Sequence, residues 1–114
     1  TRAGTGVVLA GGTQLVAAAA LARAAGVGGR LPLATTRYLA ADVDLDPAAA
    51  ALGLEPVVTD PGLERAGPPL DRYAAGEAKE GAGMGGACHL VARAGRLDRL
   101  ATRTFQVSER LEAR

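Results

Sequence analysis

The chain has 114 residues, the size of one domain or a piece of one. Its formal net charge of +1 supplies no global field for nucleic acid, and its only rings for base stacking, Tyr38, Tyr73 and Phe105, stand far apart in sequence. One cysteine, Cys88, and one histidine, His89, exclude an internal disulfide framework and leave too few ligands for a Cys/His zinc site. Hydrophobic residues make up 48% of the chain, but much of that share is alanine and aromatics are only 3%. Alanine buries little area, so the core must rely on close backbone approach, with Leu and Val supplying most of the apolar area. No apolar run reaches the ~20 residues of a membrane span. The N-terminus has no signal-peptide architecture, and a reducing, cytoplasmic setting is the expectation. There is no initiator Met, so the chain reads as beginning inside a longer gene product.

Taken in order, Thr5 to Ala10 is apolar without alternation, the pattern of a short strand buried in a parallel sheet. Gly11-Gly12 makes a tight turn, and Thr13 is placed to cap a helix from Gln14 to about Ala25, ended by Gly26. Strand, Gly-Gly, helix is the opening of a mononucleotide-binding α/β unit. Leu31 to Tyr38 reads as a second strand, which makes the crossover a right-handed parallel one. Asp46, Pro47 and Gly53 punctuate a short helix as cap, first turn and stop. Leu54 to Thr59 is a third strand, Asp60-Pro61-Gly62 turns the chain, Gly67-Pro68-Pro69 breaks it again, and Leu70 to Ala75 allows one or two helical turns. A Gly-rich stretch, Lys79 to Gly86, then leads into a helix over 87–94. In the last helix, Leu97 to Ala113, Leu97, Leu100, Ala101, Thr104, Ser108 and Leu111 form one stripe that must dock on something.

The Gly-rich stretch carries the most chemistry. Glu80 stands among glycines just before a helix, where exposed N–H groups favour a carboxylate and bare backbone lets a flat ligand approach. That suits a fixed general base. The plain alternative is a turn feeding a close-packed helix, with Glu80 as a solvated acid. Gly11, Gly12, Thr13 and Gln14 offer N–H groups and a hydroxyl at a helix N-terminus, although the stretch is neither a P-loop nor the dinucleotide fingerprint. Thr35, Thr36 and Arg37 close the second strand at the edge where open α/β sheets bind ligands. Those hydroxyls and the guanidinium suit phosphate, while the plain reading pairs Arg37 with Asp42 or Asp44. Asp42, Asp44 and Asp46 resemble the start of a calcium loop, but Pro47 and Gly53 fall where that loop needs Gly and Glu. No metal site is expected, and no Ser/His/Asp set assembles around the single histidine.

Three stretches, Leu9 to Gln14, Ala34 to Arg37 and Lys79 to Gly86, occur in the order and spacing of one family. The chain resembles the nicotinate-nucleotide:dimethylbenzimidazole phosphoribosyltransferases, and most closely their CobT-like branch. The likeness spans residues 5 to 95. It implies a C-terminal part of a protein of roughly three times this length, with a Rossmann-like parallel sheet, a smaller helical part and a homodimeric assembly. The implied reaction moves phosphoribose from nicotinate mononucleotide to a benzimidazole-type base, without a metal or other cofactor. The family's catalytic glutamate falls on Glu80, the general base for the attacking ring N–H. Lys79 and Ala82 depart from the enzyme motif, which has glycine and threonine there.

The expectation is therefore an α/β fold, a partial Rossmann-like parallel sheet with flanking helices and a C-terminal helical segment. Residues 1–75 form a strand–helix–strand part and 76–114 the Glu motif plus helices, within one domain. The expected activity is phosphoribosyl transfer in cobalamin lower-ligand synthesis. Glu80 is the catalytic residue; Gly11, Gly12, Thr13, Gln14, Thr35, Thr36, Gly81, Gly83 and Gly85 are substrate-binding. The fragment alone is expected to be inactive. A non-catalytic nucleotide-binding or assembly module of the same fold is the alternative. No nucleic acid or membrane partner is expected.

Overall fold

A computed structural model describes residues 6–76 and 84–113. Its centre is a three-stranded parallel sheet in the order β1-β2-β3, from Leu9–Ala10, Pro32–Thr36 and Glu55–Thr59. Leu9 and Ala10 lie beside Leu33 and Ala34, and β2 pairs with β3 from Pro32↔Glu55 to Thr36↔Thr59. The α/β expectation holds, with a parallel sheet, flanking helices and a C-terminal helix.

Alternation along the strands gives the two faces different work. Leu9 and Leu33 point to one face, into a cluster with Ala19, Leu31, Leu45, Ala49 and Leu54. Helices α1 (Thr13–Ala24) and α3 (Asp46–Leu52) supply this cover and touch each other. Arg23 ties their C-terminal ends together. Its Nε donates to Leu52 O at 2.9 Å, and its Nη2 donates to Gly53 O at 3.0 Å and Gly29 O at 2.9 Å. Gly53 ends α3 at φ 62°, and Leu54 N–H returns to Ala49 O at 2.8 Å, a left-handed stop that only glycine takes without cost.

The opposite face carries the small residues Ala10 and Ala34, and α4 (Met84–Arg93) lies on it. A Cβ at Gly85 would stand 2.6 Å from the Ala34 carbonyl carbon, and one at Gly86 would overlap the Ala10 methyl. The helix therefore rests on the β2 backbone and on the Ala10 methyl rather than on large side chains. Cys88, less than one turn on from this contact region, is buried on the same helix. A 3-10 turn at Leu97–Arg99 leads into α5 (Leu100–Glu112), which packs against another 3-10 turn, Leu63–Arg65. The predicted stripe docks through Ala101, buried, with Leu97, Leu100, Thr104 and Ser108 half-buried, while Leu111 at its far end is 66% exposed.

Several local expectations are corrected. The first strand pairs over two residues only, and Val7 and Val8 ahead of it are exposed, because β1 is an edge of this sheet and not a buried centre. Thr13 is the first helical residue; Gly12 holds the cap position. Asp46 likewise lies inside α3, and the Asp44 carboxylate accepts its N–H at 3.1 Å. The second strand stops at Thr36, where helix α2 (Arg37–Asp42) begins. Thr35 and Thr36 are β-branched and favour the strand; the six residues after them contain no β-branched side chain. The helix expected over 87–94 starts at Met84, taking in Gly85 and Gly86.

Because Gly85 faces backbone that cannot yield, Gly85→Ala is expected to destabilise the chain by at least ~2 kcal/mol. Gly28→Ala, where an added Cβ meets nothing within 4 Å, is expected to stay within about 1 kcal/mol of wild type. Urea unfolding midpoints of the two variants check the contrast.

Candidate functional site

In open α/β sheets ligands bind outside the carboxyl ends of the strands. Here three strands deliver their ends to one edge. β1 runs into Gly11, which is buried and donates its N–H to Ala34 O at 3.0 Å. Gly12 follows, so close to Leu39 of α2 that a Cβ would strike that side chain. Thr13 and Gln14 occupy the exposed first turn of α1. β2 ends in Thr35 and Thr36, which are 2% and 9% exposed. Among the described residues no buried side-chain polar atom lacks a hydrogen-bond partner. Gly85 rests on Thr35 from the other side. The structure thus gathers Gly11, Gly12, Thr35, Thr36 and Gly85 around Ala10 and Ala34, and leaves Thr13 and Gln14 at the rim. Gly85 is helical, and its missing Cβ is taken up by the strand beneath it. Glu80, Gly81 and Gly83 lie outside the described residues.

A charged network stands beside this group. Arg37, the first residue after β2, pairs through Nε with Asp60 Oδ1 at 2.9 Å and through Nη2 with Glu64 Oε1 at 2.8 Å. Asp60 Oδ1 also accepts the Gly62 N–H at 2.9 Å. The Tyr38 hydroxyl donates to Glu64 Oε2 at 2.7 Å and accepts the Leu63 N–H at 2.9 Å. The Arg37 guanidinium lies 4.5 Å from the centre of the Tyr38 ring, and Tyr38 meets Tyr73 with ring centres 6.5 Å apart. The expected partners of Arg37, Asp42 and Asp44, were nearest in sequence; the pairing formed instead runs to the segment leaving β3. Register is the reason, since Thr36 and Thr59 are direct neighbours.

These contacts set the titration behaviour. Burial, then the bond to Glu64, pushes the Tyr38 phenol up to about 12. The Tyr38 hydrogen bond, with Arg37 adding to it, holds the Glu64 carboxyl below the usual range. Asp60 first, and then Glu64, raise Arg37 further. Burial pushes the Cys88 thiol up, which keeps it protonated and a poor nucleophile. Among the described residues no group of three or more His, Cys, Asp or Glu is arranged to hold a metal ion. No described helix is long and apolar enough to cross a membrane.

No protein-family model matches the chain. The chain is similar to UPF0284 proteins. It is 50% identical over 97 residues to one from Halobacterium salinarum, a match covering 82% of this chain and 29% of that protein. It is 42% identical over 92 residues to one from Methanosarcina mazei, covering 76% and 26%, and 44% identical over 92 residues to one from Gloeobacter violaceus, covering 70% and 24%. The chain therefore spans less than a third of the length of the curated relatives it matches. The name they share states no activity.

Sequence reasoning singled out Arg37 but missed Tyr38, Asp60 and Glu64 as its company. The available signal was topological: two adjacent parallel strands release Arg37-Tyr38 and Asp60 to Glu64 on one edge. The raised phenol gives a directional test. A folded pKa above the unfolded value near 10 contributes stability that is whole below pH 10 and lost as pH rises towards 12. Tyr38→Phe is expected to cost about 1–2 kcal/mol at neutral pH, for the stranded Leu63 N–H and the lost donor to Glu64. The variant is also expected to lose stability less steeply than wild type over that alkaline range. Urea midpoints measured from neutral pH to pH 12 check both.

Proposed function

We propose that the chain is part of a phosphoribosyltransferase that moves phosphoribose from nicotinate mononucleotide to a benzimidazole-type base. The observation that supports this most directly is the seat of α4. Gly85 and Gly86 bring its first turn against Ala10 and Ala34–Thr35. In sequence the Gly-rich stretch with Glu80 immediately precedes Met84, and this reading sets it at the edge where open α/β sheets bind ligands. The three sequence stretches that carry the family resemblance converge there: Gly11 and Gly12, Thr35 and Thr36, and Gly85. Long UPF0284 relatives fit a reading in which this chain corresponds to one part of a larger enzyme.

In this reading Glu80 takes the proton of the attacking ring nitrogen. A carboxylate in an apolar, water-poor setting has its pKa raised towards working pH, which general-base catalysis favours. Leaving nicotinate departs as a neutral ring from a pyridinium, so the leaving group is already activated. Gly11 to Gln14 and Thr35-Thr36 line the nucleotide side, and Gly81 and Gly83 give backbone access to the flat base. Arg37 is committed to Asp60 and Glu64, so it is not assigned to the phosphate. A homodimer in a cytoplasmic setting completes the proposal.

A second reading is a non-catalytic nucleotide-binding or assembly module. It is favoured by α5, whose outer half presents Val107 at 53% and Leu111 at 66% exposure. One experiment separates the two. The full-length protein is incubated with nicotinate mononucleotide and dimethylbenzimidazole, and nicotinate release is followed. The transferase is expected to release nicotinate only with both substrates present, and Glu80→Gln is expected to lose at least ~100-fold in kcat. Binding without release would support the module, and undiminished turnover by Glu80→Gln would remove that residue from the chemistry.

A further inference from the structure

The network around Arg37 joins the segment leaving β2 to the segment leaving β3. Its paired side chains are 42%, 50% and 39% exposed, so by ordinary surface standards they contribute little to stability. Tyr38 and Arg37 are pushed up and Glu64 down, so these three keep one charge state near neutrality and do not suit proton transfer there. What the contacts share is direction. Arg37 and Tyr38 leave the end of β2, while Asp60, Gly62, Leu63 and Glu64 leave the end of β3; the Arg37 ion pairs and the Tyr38 hydrogen bonds cross from one segment to the other, and the Gly62–Asp60 bond folds the second upon itself.

The segment so held is a built loop. Pro61 is fully buried, and Leu63 and Ala66 are 4% and 1% exposed, which anchors it from below. Gly62 takes φ 65° at its bend. The Tyr38 ring then reaches Tyr73, in the 3-10 turn Leu70–Tyr73. A guanidinium fork suits this task, because one rigid planar group can address two carboxylates at fixed angles.

We infer that Arg37 and Tyr38 are positioning residues, fixing the 60–64 loop and the 70–73 turn as one wall of the ligand crevice at the carboxyl ends of β2 and β3. The inference rests on the transferase reading for its substrates. A wall of this kind acts through placement of the bound substrate, and misplacement by about an ångström can cost up to ~100-fold.

The test uses the full-length protein with Arg37→Met and Arg37→Lys, nicotinate mononucleotide and dimethylbenzimidazole. In Arg37→Met, kcat/KM is expected to fall by ~10- to 100-fold, with KM raised for at least one substrate and the urea midpoint near wild type. Arg37→Lys is expected to recover only part of the loss, because a single ammonium cannot reproduce the fork. Wild-type KM values in both variants, with or without a kcat loss proportional to unfolded protein, would overturn the positioning role while leaving the transferase intact. Should wild type show no turnover, the transferase reading falls. Calorimetric titration with nicotinate mononucleotide then decides the wall: weaker binding by Arg37→Met supports it, and equal binding or none by wild type overturns it.

Discussion

The structure depends on how closely α4 can approach the sheet. Gly85 and Gly86 meet Ala10, Ala34 and the backbone of Thr35, so the helix is separated from the strands by little more than main-chain atoms. This is how an alanine-rich chain with few aromatics makes a packed interior. Dispersion falls off steeply with distance, so close approach recovers contact that large side chains would otherwise supply. The constraint is one-sided. On the other face Leu9 and Leu33 reach into a leucine-rich cluster beneath α1 and α3. The alternation of Leu33 with Ala34 therefore does two things: it fixes which face takes the bulky core, and it fixes where a bare helix turn can settle.

That settlement has a positional consequence. Ala10 ends β1 and Ala34 is the middle residue of β2, next to Gly11 and Thr35. A helix seated there begins at the strand ends, where the loops after all three strands also emerge. The same edge carries the buried threonines Thr35, Thr36 and Thr59 and a loop clamped by Arg37. Side chains held this way keep fixed positions without needing a ligand to order them, which is the condition for pre-organised binding.

Much of this was legible in the sequence, and the exceptions share a cause. The three strands, α1 and α3 announce themselves through apolar runs and Gly or Pro punctuation, signals that act within a few residues. Helix α2 does not, because Thr-Thr-Arg-Tyr reads as strand until Leu39 is seen seated on Gly12. Thr13 and Asp46 looked like caps by residue type, but the chain reaches each helix one residue earlier, through Gly12 and Leu45. The Gly85-Gly86 pair read as loop, since glycine weakens helices; tertiary contact with Ala10 and Ala34 overrides that preference. The partners of Arg37 were hidden for the same reason. Asp42 and Asp44 are near in sequence, but only the register of β2 against β3 brings Asp60 and Glu64 within reach. Local chemistry was readable, and contacts created by neighbouring strands were not.

Apolar surface remains uncovered on this chain, at Val7 and Val8 beside β1, at Val58 on the edge strand β3, and at Val107 and Leu111 on α5. A parallel sheet ordinarily has both faces and its edges covered, and the matched relatives are more than three times as long as the stretch they share with this chain. The candidate site does not wait on that cover. Its two anchors, the Gly85-Gly86 seat and the Arg37 clamp, are made by contacts among residues 10–86, and each bears on strands whose pairing is internal to the chain. Covering the exposed valines and leucines would raise the stability of the whole by removing apolar area from water. It would leave the relative placement of the three strand ends where the small residues already put it.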